Sequence, residues 1–200
     1  MPAADEGRPA NLSRERWRLF VGVPLPEEMR QAIASAVAPV RAATRARWVR
    51  PESLHVTLTF LGDVPANDAP QTGDRASALV SPFGPFRAAL GEAGAFGRGR
   101  RPRTVWLGLA AGDSELAALA TAVNRGLTDE ETGKAAHPHV TVARDVPPEM
   151  SNALFEALRP LAGSAWRVER AYLYRSHLGA GGSRYEPVAE LSLRGRTETF

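Results

Sequence analysis

Cysteine is absent from this chain of 200 residues, and lysine is nearly absent. Without a thiol, the protein forms no disulfide, holds no metal through thiolates and has no cysteine nucleophile. Lys134 is the only lysine among 25 basic residues, and the others are arginines, which suit bidentate contacts with phosphate. The formal net charge is only +3, so charge alone does not identify a nucleic-acid-binding protein.

Long apolar runs are also missing. The uninterrupted apolar stretches are shorter than ten residues, whereas about 20 apolar residues are needed to span a bilayer as a helix. Residues 1–16 lack the apolar core of a secretory signal. We therefore expect a soluble, cytoplasmic protein that makes no membrane contact. Residues 1–16 are predicted to be a disordered tail, and residues 17–200 a single domain.

The predicted elements follow the same order in two halves of the chain, at about 17–98 and 103–195. Phe20 stands 35 residues before His55, and Val105 stands 34 residues before His139. This agreement indicates an internal duplication of β-α-β-α-β units, with two lobes related by a pseudo-twofold axis. Strands are predicted at 19–23, 55–61, 86–96, 104–109, 139–142, 166–178 and 185–193, and helices from 26, near 74–80, at 116–127 and from 147 to about 161.

Two of the four histidines occur in the same local pattern, His-x-Thr-x. These tetrapeptides are HVTL at 55–58 and HVTV at 139–142, and they lie at matching positions of the duplicated units. Because alternate side chains of a strand share one face, His55 is predicted to lie beside Thr57, and His139 beside Thr141. A single such histidine is more often structural, but two matched copies indicate a functional site.

Paired histidines and hydroxyl groups in one cleft suit the hydrolysis of a phosphodiester. One histidine can activate water as a base while the other protonates the leaving oxygen, and each role contributes roughly 10²–10⁴-fold to the rate. Threonine hydroxyls can donate hydrogen bonds to the phosphate oxygens, where negative charge grows in the transition state. This arrangement requires no metal ion.

The paired motifs resemble those of the two-histidine phosphoesterase superfamily, and more specifically of the RNA 2′,3′-cyclic phosphodiesterases, once named 2′-5′ RNA ligases. The resemblance covers residues 17–193. It is carried by RLFV at 18–21, WVRPESL at 48–54, TFLGD at 59–63, VWLG at 105–108, PHVTVAR at 138–144 and SHL at 176–178, with Gly182 and Tyr185.

The resemblance implies a bilobal α+β fold whose cleft lies between two mainly antiparallel sheets. It also implies hydrolysis of RNA 2′,3′-cyclic phosphate ends to 2′-phosphomonoesters, without metal or nucleotide cofactor, and a weak reverse 2′-5′ ligation. By position, His55 resembles the family's proton donor and His139 its proton acceptor. Thr57 and Thr141 match its phosphate-binding hydroxyls, and Arg144 matches an arginine after the second motif. Strict alternation would turn Arg144 away from His139, so its reach into the cleft needs a β-bulge or a strand end.

Other candidate residues have two interpretations each. Tyr185 can stack on a base or pack in the core. His137 and His139 have a spacing that can chelate a metal, but no carboxylate or cysteine cluster accompanies them, so no metal site is predicted. His177 is expected at the rim of the substrate site or in packing. A cluster of arginines is either a solvated loop or a contact for RNA phosphates: Arg98, Arg100, Arg101 and Arg103.

Three functions remain open from the sequence. The leading hypothesis is a monomeric cyclic phosphodiesterase that acts on RNA with 2′,3′-cyclic phosphate ends, tRNA fragments among them. A second is a phosphodiesterase of the same superfamily that acts on small cyclic nucleotides or ADP-ribose cyclic phosphate. The third is an RNA-binding module without turnover, against which the intact histidines and threonines of both motifs argue.

Overall fold

The computed structural model describes residues 15–97, 99, 103–128, 137–177, 179 and 182–195. Within them, strands and helices mix in the predicted α+β class. The strands are Arg16–Pro24 (β1), Arg47–Trp48 (β2), His55–Pro65 (β3), Phe86–Phe96 (β4), Arg103–Ala111 (β5), Val140–Val146 (β6), Ala165–Val168 (β7), Arg170–His177 (β8) and Arg184–Ser192 (β9). The helices are Glu27–Ala42 (α1), Ala69–Val80 (α2), Asp113–Leu127 (α3) and Ser151–Leu158 (α4).

The strands form one antiparallel sheet in the order β7-β4-β5-β6-β3-β1-β8-β9, with β2 added beside β6. The sequence predicts two sheets, but the structure joins them into one. We call its two parts half-sheets: β7-β4-β5-β6 with β2, and β3-β1-β8-β9. They meet where Val56 of β3 pairs with Val140 of β6. Each half-sheet takes strands from both parts of the chain, which differs from the predicted halves 17–98 and 103–195. β4 pairs with β5, and β8 pairs with β1, because pairing depends on long-range contacts that a local pattern does not contain.

The segment 166–178, predicted as one strand, forms two strands that lie six positions apart in the strand order of the sheet. β7 pairs with β4, β8 pairs with β1, and only Glu169 lies between them. In a flat sheet, six strand spacings of ~4.8 Å would put β7 and β8 about 29 Å apart. The chain across one residue reaches at most about 7 Å. The sheet is therefore strongly curled.

Two β-bulges lie at matching positions of the two histidine motifs. Val21 and Gly22 of β1 pair with Thr59 and Thr57, so that Leu58 of β3 is the extra residue. In the other half-sheet, Val105 and Trp106 of β5 pair with Ala143 and Thr141, which makes Val142 of β6 the extra residue. An extra residue reverses the alternation of side chains beyond it.

The helices cover the face of the sheet opposite the motifs and follow their predicted patterns. Helix α1 begins after Pro26 with acidic residues in its first turn, and α3 buries the predicted apolar face. α2 packs on β9 and on α3, α3 packs on β3, and α1 packs on α4. The helix predicted from 147 to 161 is shorter, because 3-10 turns at Pro148–Met150 and Arg159–Leu161 flank α4. In the described part of the chain, no helix has the length and apolar character that crossing a membrane requires.

Candidate active site

The two histidine motifs lie side by side at the junction of the half-sheets. His55 is the first residue of β3, and His139 immediately precedes β6. The antiparallel register that pairs Val56 with Val140 directs His55 toward Thr141, and Thr57 toward His139. Each histidine therefore has a threonine of its own strand and one of the other strand as neighbours. This juxtaposition is the one that the duplicated pattern predicts.

His55 is held by hydrogen bonds at both ring nitrogens. Its Nδ1 lies 2.7 Å from the carbonyl oxygen of Ser53, and its Nε2 lies 2.9 Å from Oγ1 of Thr57. Because a carbonyl only accepts, Nδ1–H is the donor in the first contact, and the neutral ring then accepts the Thr57 hydroxyl at Nε2. The tautomer of His55 is thus fixed by the backbone two residues before it.

His139 repeats this arrangement in the other half-sheet. Its Nδ1 lies 2.8 Å from the carbonyl oxygen of His137, again two residues earlier in the chain. Nδ1–H donates to that carbonyl, so the neutral ring has its lone pair on Nε2. Like His55, His139 is therefore fixed in one tautomer by the backbone two residues before it. The described residues contain no group of three or more potential metal ligands.

Aromatic rings surround His55. The ring centroid of Phe20 lies 4.9 Å away, and Tyr185 stands edge-on at 5.1 Å. Gly22 leaves room for the imidazole, since a Cβ there would lie 3.1 Å from His55 Cδ2. Burial lowers the pKa of His55 to about 4, and the positive charges of Arg144 and His139 act in the same direction, against the Ser53 carbonyl. His55 is therefore neutral at neutral pH in the unliganded protein.

A pocket of about 210 Å³ opens between the motifs. His55, Thr57 and Thr141 line it together with Arg144. The bulge at Val142 explains how Arg144 reaches the same side as Thr141, as the sequence analysis required. Among the described residues that line the pocket there is no carboxylate, and they combine one imidazole, five hydroxyl groups and two guanidinium groups, which are groups that bind phosphate. This described lining consists of Arg18, Phe20, Val49, His55, Thr57, Phe60, Thr141, Arg144, Ser176, Ser183 and Tyr185.

Phe60 is one of the pocket residues that the sequence analysis did not assign to the site; others are Arg18, Val49, Ser176 and Ser183. Phe60 follows His55 by five positions, as Arg144 follows His139 by five, and the bulge at Leu58 turns it into the pocket. Its side chain is 64% exposed. The equal spacing of five residues after each histidine could have predicted that Phe60 faces the pocket, provided that a bulge is assumed in both motifs.

The remaining candidates lie in different places. Tyr185 lines the pocket. His177 lies outside it and pairs with Glu186, with 2.8 Å between Nε2 and Oε2. Arg103 begins β5, whereas Arg98, Arg100 and Arg101 lie outside the described residues.

Comparison with known proteins identifies the family of this chain. The family model described as "2′-5′ RNA ligase superfamily" matches residues 26–180. The chain belongs to the 2′-5′ RNA ligase superfamily. Superfamily relatives named RNA 2′,3′-cyclic phosphodiesterase include one from Thermus thermophilus, 35% identical over 89% of this chain and 91% of its own length. One from Geobacillus stearothermophilus is 33% identical over 90% of this chain, which spans only 59% of that relative.

Solved structures of the superfamily share the fold. A crystal structure of a Thermus thermophilus protein matches with a TM-score of 0.73 at 33% identity, over 90% of this chain and 100% of the other. Escherichia coli LigT complexed with 3′-AMP matches with a TM-score of 0.68 at 27% identity, over 90% of this chain and 99% of LigT. The family and the fold class predicted from the sequence are thereby confirmed.

Proposed function

We propose that the protein hydrolyses RNA 2′,3′-cyclic phosphate ends to 2′-phosphomonoesters, with His55 and His139 as the acid–base pair. The observation that carries this proposal is the matched pair of imidazoles, each fixed through Nδ1 to a backbone carbonyl, beside a pocket lined by hydroxyl and guanidinium groups. Relatives named RNA 2′,3′-cyclic phosphodiesterase support the choice of substrate.

The reaction adds water across one P–O bond. His139 Nε2 takes a proton from water as the water oxygen attacks phosphorus, and the bond from phosphorus to O3′ breaks. His55, protonated at Nε2, gives that proton to O3′, which leaves a 3′-hydroxyl and a 2′-phosphate. Thr57, Thr141 and Arg144 bind the non-bridging oxygens, whose charge grows in the transition state. Atoms and charge balance without a cofactor.

His55 needs a proton to act as the acid, although its pKa in the unliganded protein is about 4. The negative charge of a bound phosphodiester opposes the effects of burial and of Arg144, and thereby favours the protonated ring. Once Nε2 carries a proton, it no longer accepts the Thr57 hydroxyl, which becomes free to donate to the phosphate. Substrate binding thus creates the acid.

The nucleoside of the cyclic phosphate lies against the aromatic side of the pocket. Phe60 and Tyr185 both line it, and Phe60 offers an exposed ring on which a base can stack. Stacking of this kind tolerates any base and needs only one nucleotide. Small cyclic nucleotides are therefore expected to be substrates in addition to RNA ends.

Turnover of 2′,3′-cyclic AMP after exhaustive treatment with EDTA tests the proposal. We expect 2′-AMP as the product, at a rate that neither chelation nor added divalent ions change. An RNA oligomer that ends in the same adenosine 2′,3′-cyclic phosphate serves for comparison. The larger kcat/KM of the two shows whether RNA ends or free nucleotides are the preferred substrate. Formation of 3′-AMP, or loss of activity that zinc or manganese restores, would contradict this mechanism.

A further inference from the structure

The pocket continues along β1, away from the proposed catalytic groups. Gly22, Phe20 and Arg18 share one face of this strand, and Phe20 and Arg18 line the pocket. Gly22 pairs with Thr57, at the end of the pocket where the histidine motifs lie. Arg18 stands four residues further along β1, a distance of about 13 Å at ~3.3 Å per residue. The pocket therefore has a guanidinium group at the end away from His55.

The guanidinium of Arg18 is available to a ligand. Arg16 of the same strand donates a hydrogen bond to the carbonyl oxygen of Asp63, and Arg175 of β8 pairs with Glu15. Arg18, by contrast, is exposed and makes no ion pair or hydrogen bond with another of the residues that the structure describes. Its five N–H donors are therefore open to a planar or tetrahedral anion, and arginine is well suited to phosphate.

Neighbouring strands add hydroxyl groups beside Arg18. The register that pairs Leu19 with Arg175 brings Arg18 next to Ser176 of β8. Ser176 in turn pairs with Tyr185 of β9. Arg18, Ser176 and Tyr185 all line the pocket, whose described lining contains no carboxylate that would repel an anion. This row across three adjacent strands places phosphate-binding donors beside an aromatic ring.

We propose that Arg18 and Ser176 bind the phosphate ester at O5′ of the terminal nucleoside, which in an RNA is the phosphodiester that joins this nucleoside to the rest of the chain. This inference rests on the proposed function and deepens it, because it gives the pocket a preference for RNA ends. The cyclic phosphate bridges O2′ and O3′, whereas C5′ leaves the ribose from the opposite side of the ring. With the cyclic phosphate at the histidine motifs, O5′ therefore points along β1 toward Arg18.

Two dinucleotides that differ by one charge test this subsite. Both are 3′-5′-linked adenylyl-adenosines with a 2′,3′-cyclic phosphate end, and the linkage is a phosphodiester in one and an uncharged methylphosphonate in the other. At low salt, where exposed charges are least screened, kcat/KM of the unmodified protein should be about tenfold higher for the phosphodiester, as hydrogen bonds to a charged group provide. In Arg18→Gln this preference should fall to within about twofold.

Arg16→Gln is the matched control. It removes the same charge from the same strand, but Arg16 does not line the pocket and its guanidinium already contacts the Asp63 carbonyl. The preference for the phosphodiester should therefore persist in this variant. Thermal unfolding midpoints close to that of the unmodified protein are expected for both variants, because both side chains are exposed.

A third substrate, 2′,3′-cyclic AMP with an added 5′-phosphate, distinguishes two sources of the anion. A gain in kcat/KM over 2′,3′-cyclic AMP that Arg18→Gln abolishes would show that any phosphate ester at O5′ is bound, whereas a gain with the dinucleotide alone would restrict the subsite to the phosphodiester of RNA. Equal use of the two dinucleotides by the unmodified protein, or a preference that survives Arg18→Gln, would overturn the subsite alone. Absence of hydrolysis of all these substrates would overturn the proposed function and the subsite with it.

Discussion

At the scale of single residues, His55 and His139 are expected to be needed for turnover, whereas His177 is not. His55→Ala and His139→Ala are each expected to lower kcat at least about a hundredfold, because each removes one proton-transfer group. His55 lines the pocket, His139 directly precedes β6, and neither belongs to the apolar core, so removal of either ring leaves that core intact. The measurement is kcat for 2′,3′-cyclic AMP together with the thermal unfolding midpoint of each variant.

His177→Ala is the matched control, since His177 pairs with Glu186 outside the pocket. It should retain most of the activity. A variant of His55 or His139 that keeps its activity, or that loses it only by unfolding, would remove the paired acid–base mechanism.

Protonation of His55 should depend on phosphate. In the unliganded protein its pKa is lowered to about 4, and an anion in the pocket should raise it. Inorganic phosphate should therefore bind with uptake of a proton near pH 6, and more weakly as pH rises. Two-dimensional NMR of the imidazole, with and without phosphate, measures both pKa values. An identical titration of His55 in the two states would contradict this prediction.

The same lowered pKa has a consequence for stability. Between about pH 4 and pH 6.5 the unfolded chain binds more protons at this position than the folded chain does. The free energy of unfolding should therefore rise with pH across this window. In His55→Ala this rise should be smaller, as denaturant unfolding at several pH values can measure.

At the scale of elements, helix α3 supports the strand that positions His55. Asn124 of α3 donates a hydrogen bond of 2.8 Å to Oγ1 of Thr59 in β3, and both residues are buried. Asn124→Ala is expected to lower the free energy of unfolding by about 1–3 kcal/mol, because it leaves a buried hydroxyl without this partner. Denaturant unfolding measures the loss.

A double-mutant cycle with Thr59→Val separates this bond from other effects of Asn124. The double variant should lose less stability than the two single losses added together. Strict additivity would show that the bond contributes nothing to the packing of α3 on β3.

The elements themselves were largely predictable, whereas their partners were not. A short apolar run ended by Pro24 predicted β1, and a proline-led start predicted α1. The repeated His-x-Thr-x pattern predicted the candidate site. The break at Glu169 was missed, because β7 and β8 both have buried residues at alternate positions. The bulge that turns Phe60 into the pocket was missed for a related reason: it is defined by pairing with β1, and pairing is not visible in β3 alone.

At the scale of the whole molecule, the exchanged strands make the two halves of the chain interdependent. β4 needs β5, and β1 needs β8, to complete their hydrogen bonds. A fragment of residues 1–98 and a fragment of residues 103–200 should therefore each be unfolded alone and should regain structure and activity when mixed. Circular dichroism and turnover of 2′,3′-cyclic AMP measure this. Independent folding of either fragment would contradict it.

The single residue between β7 and β8, Glu169, also bears on the access of water to the candidate site. Because only Glu169 separates β7, which pairs with β4, from β8, which pairs with β1, this residue links the two half-sheets on the side away from the junction of the histidine motifs. We expect this link to limit closure of the half-sheets over a ligand, so that water reaches the half-buried ring of His139. In the weak reverse ligation that the resemblance implies, a 5′-hydroxyl group must then compete with water for the same proton acceptor. Hydrolysis should therefore prevail by mass action, and joining of two strands should be measurable only when the acceptor is concentrated.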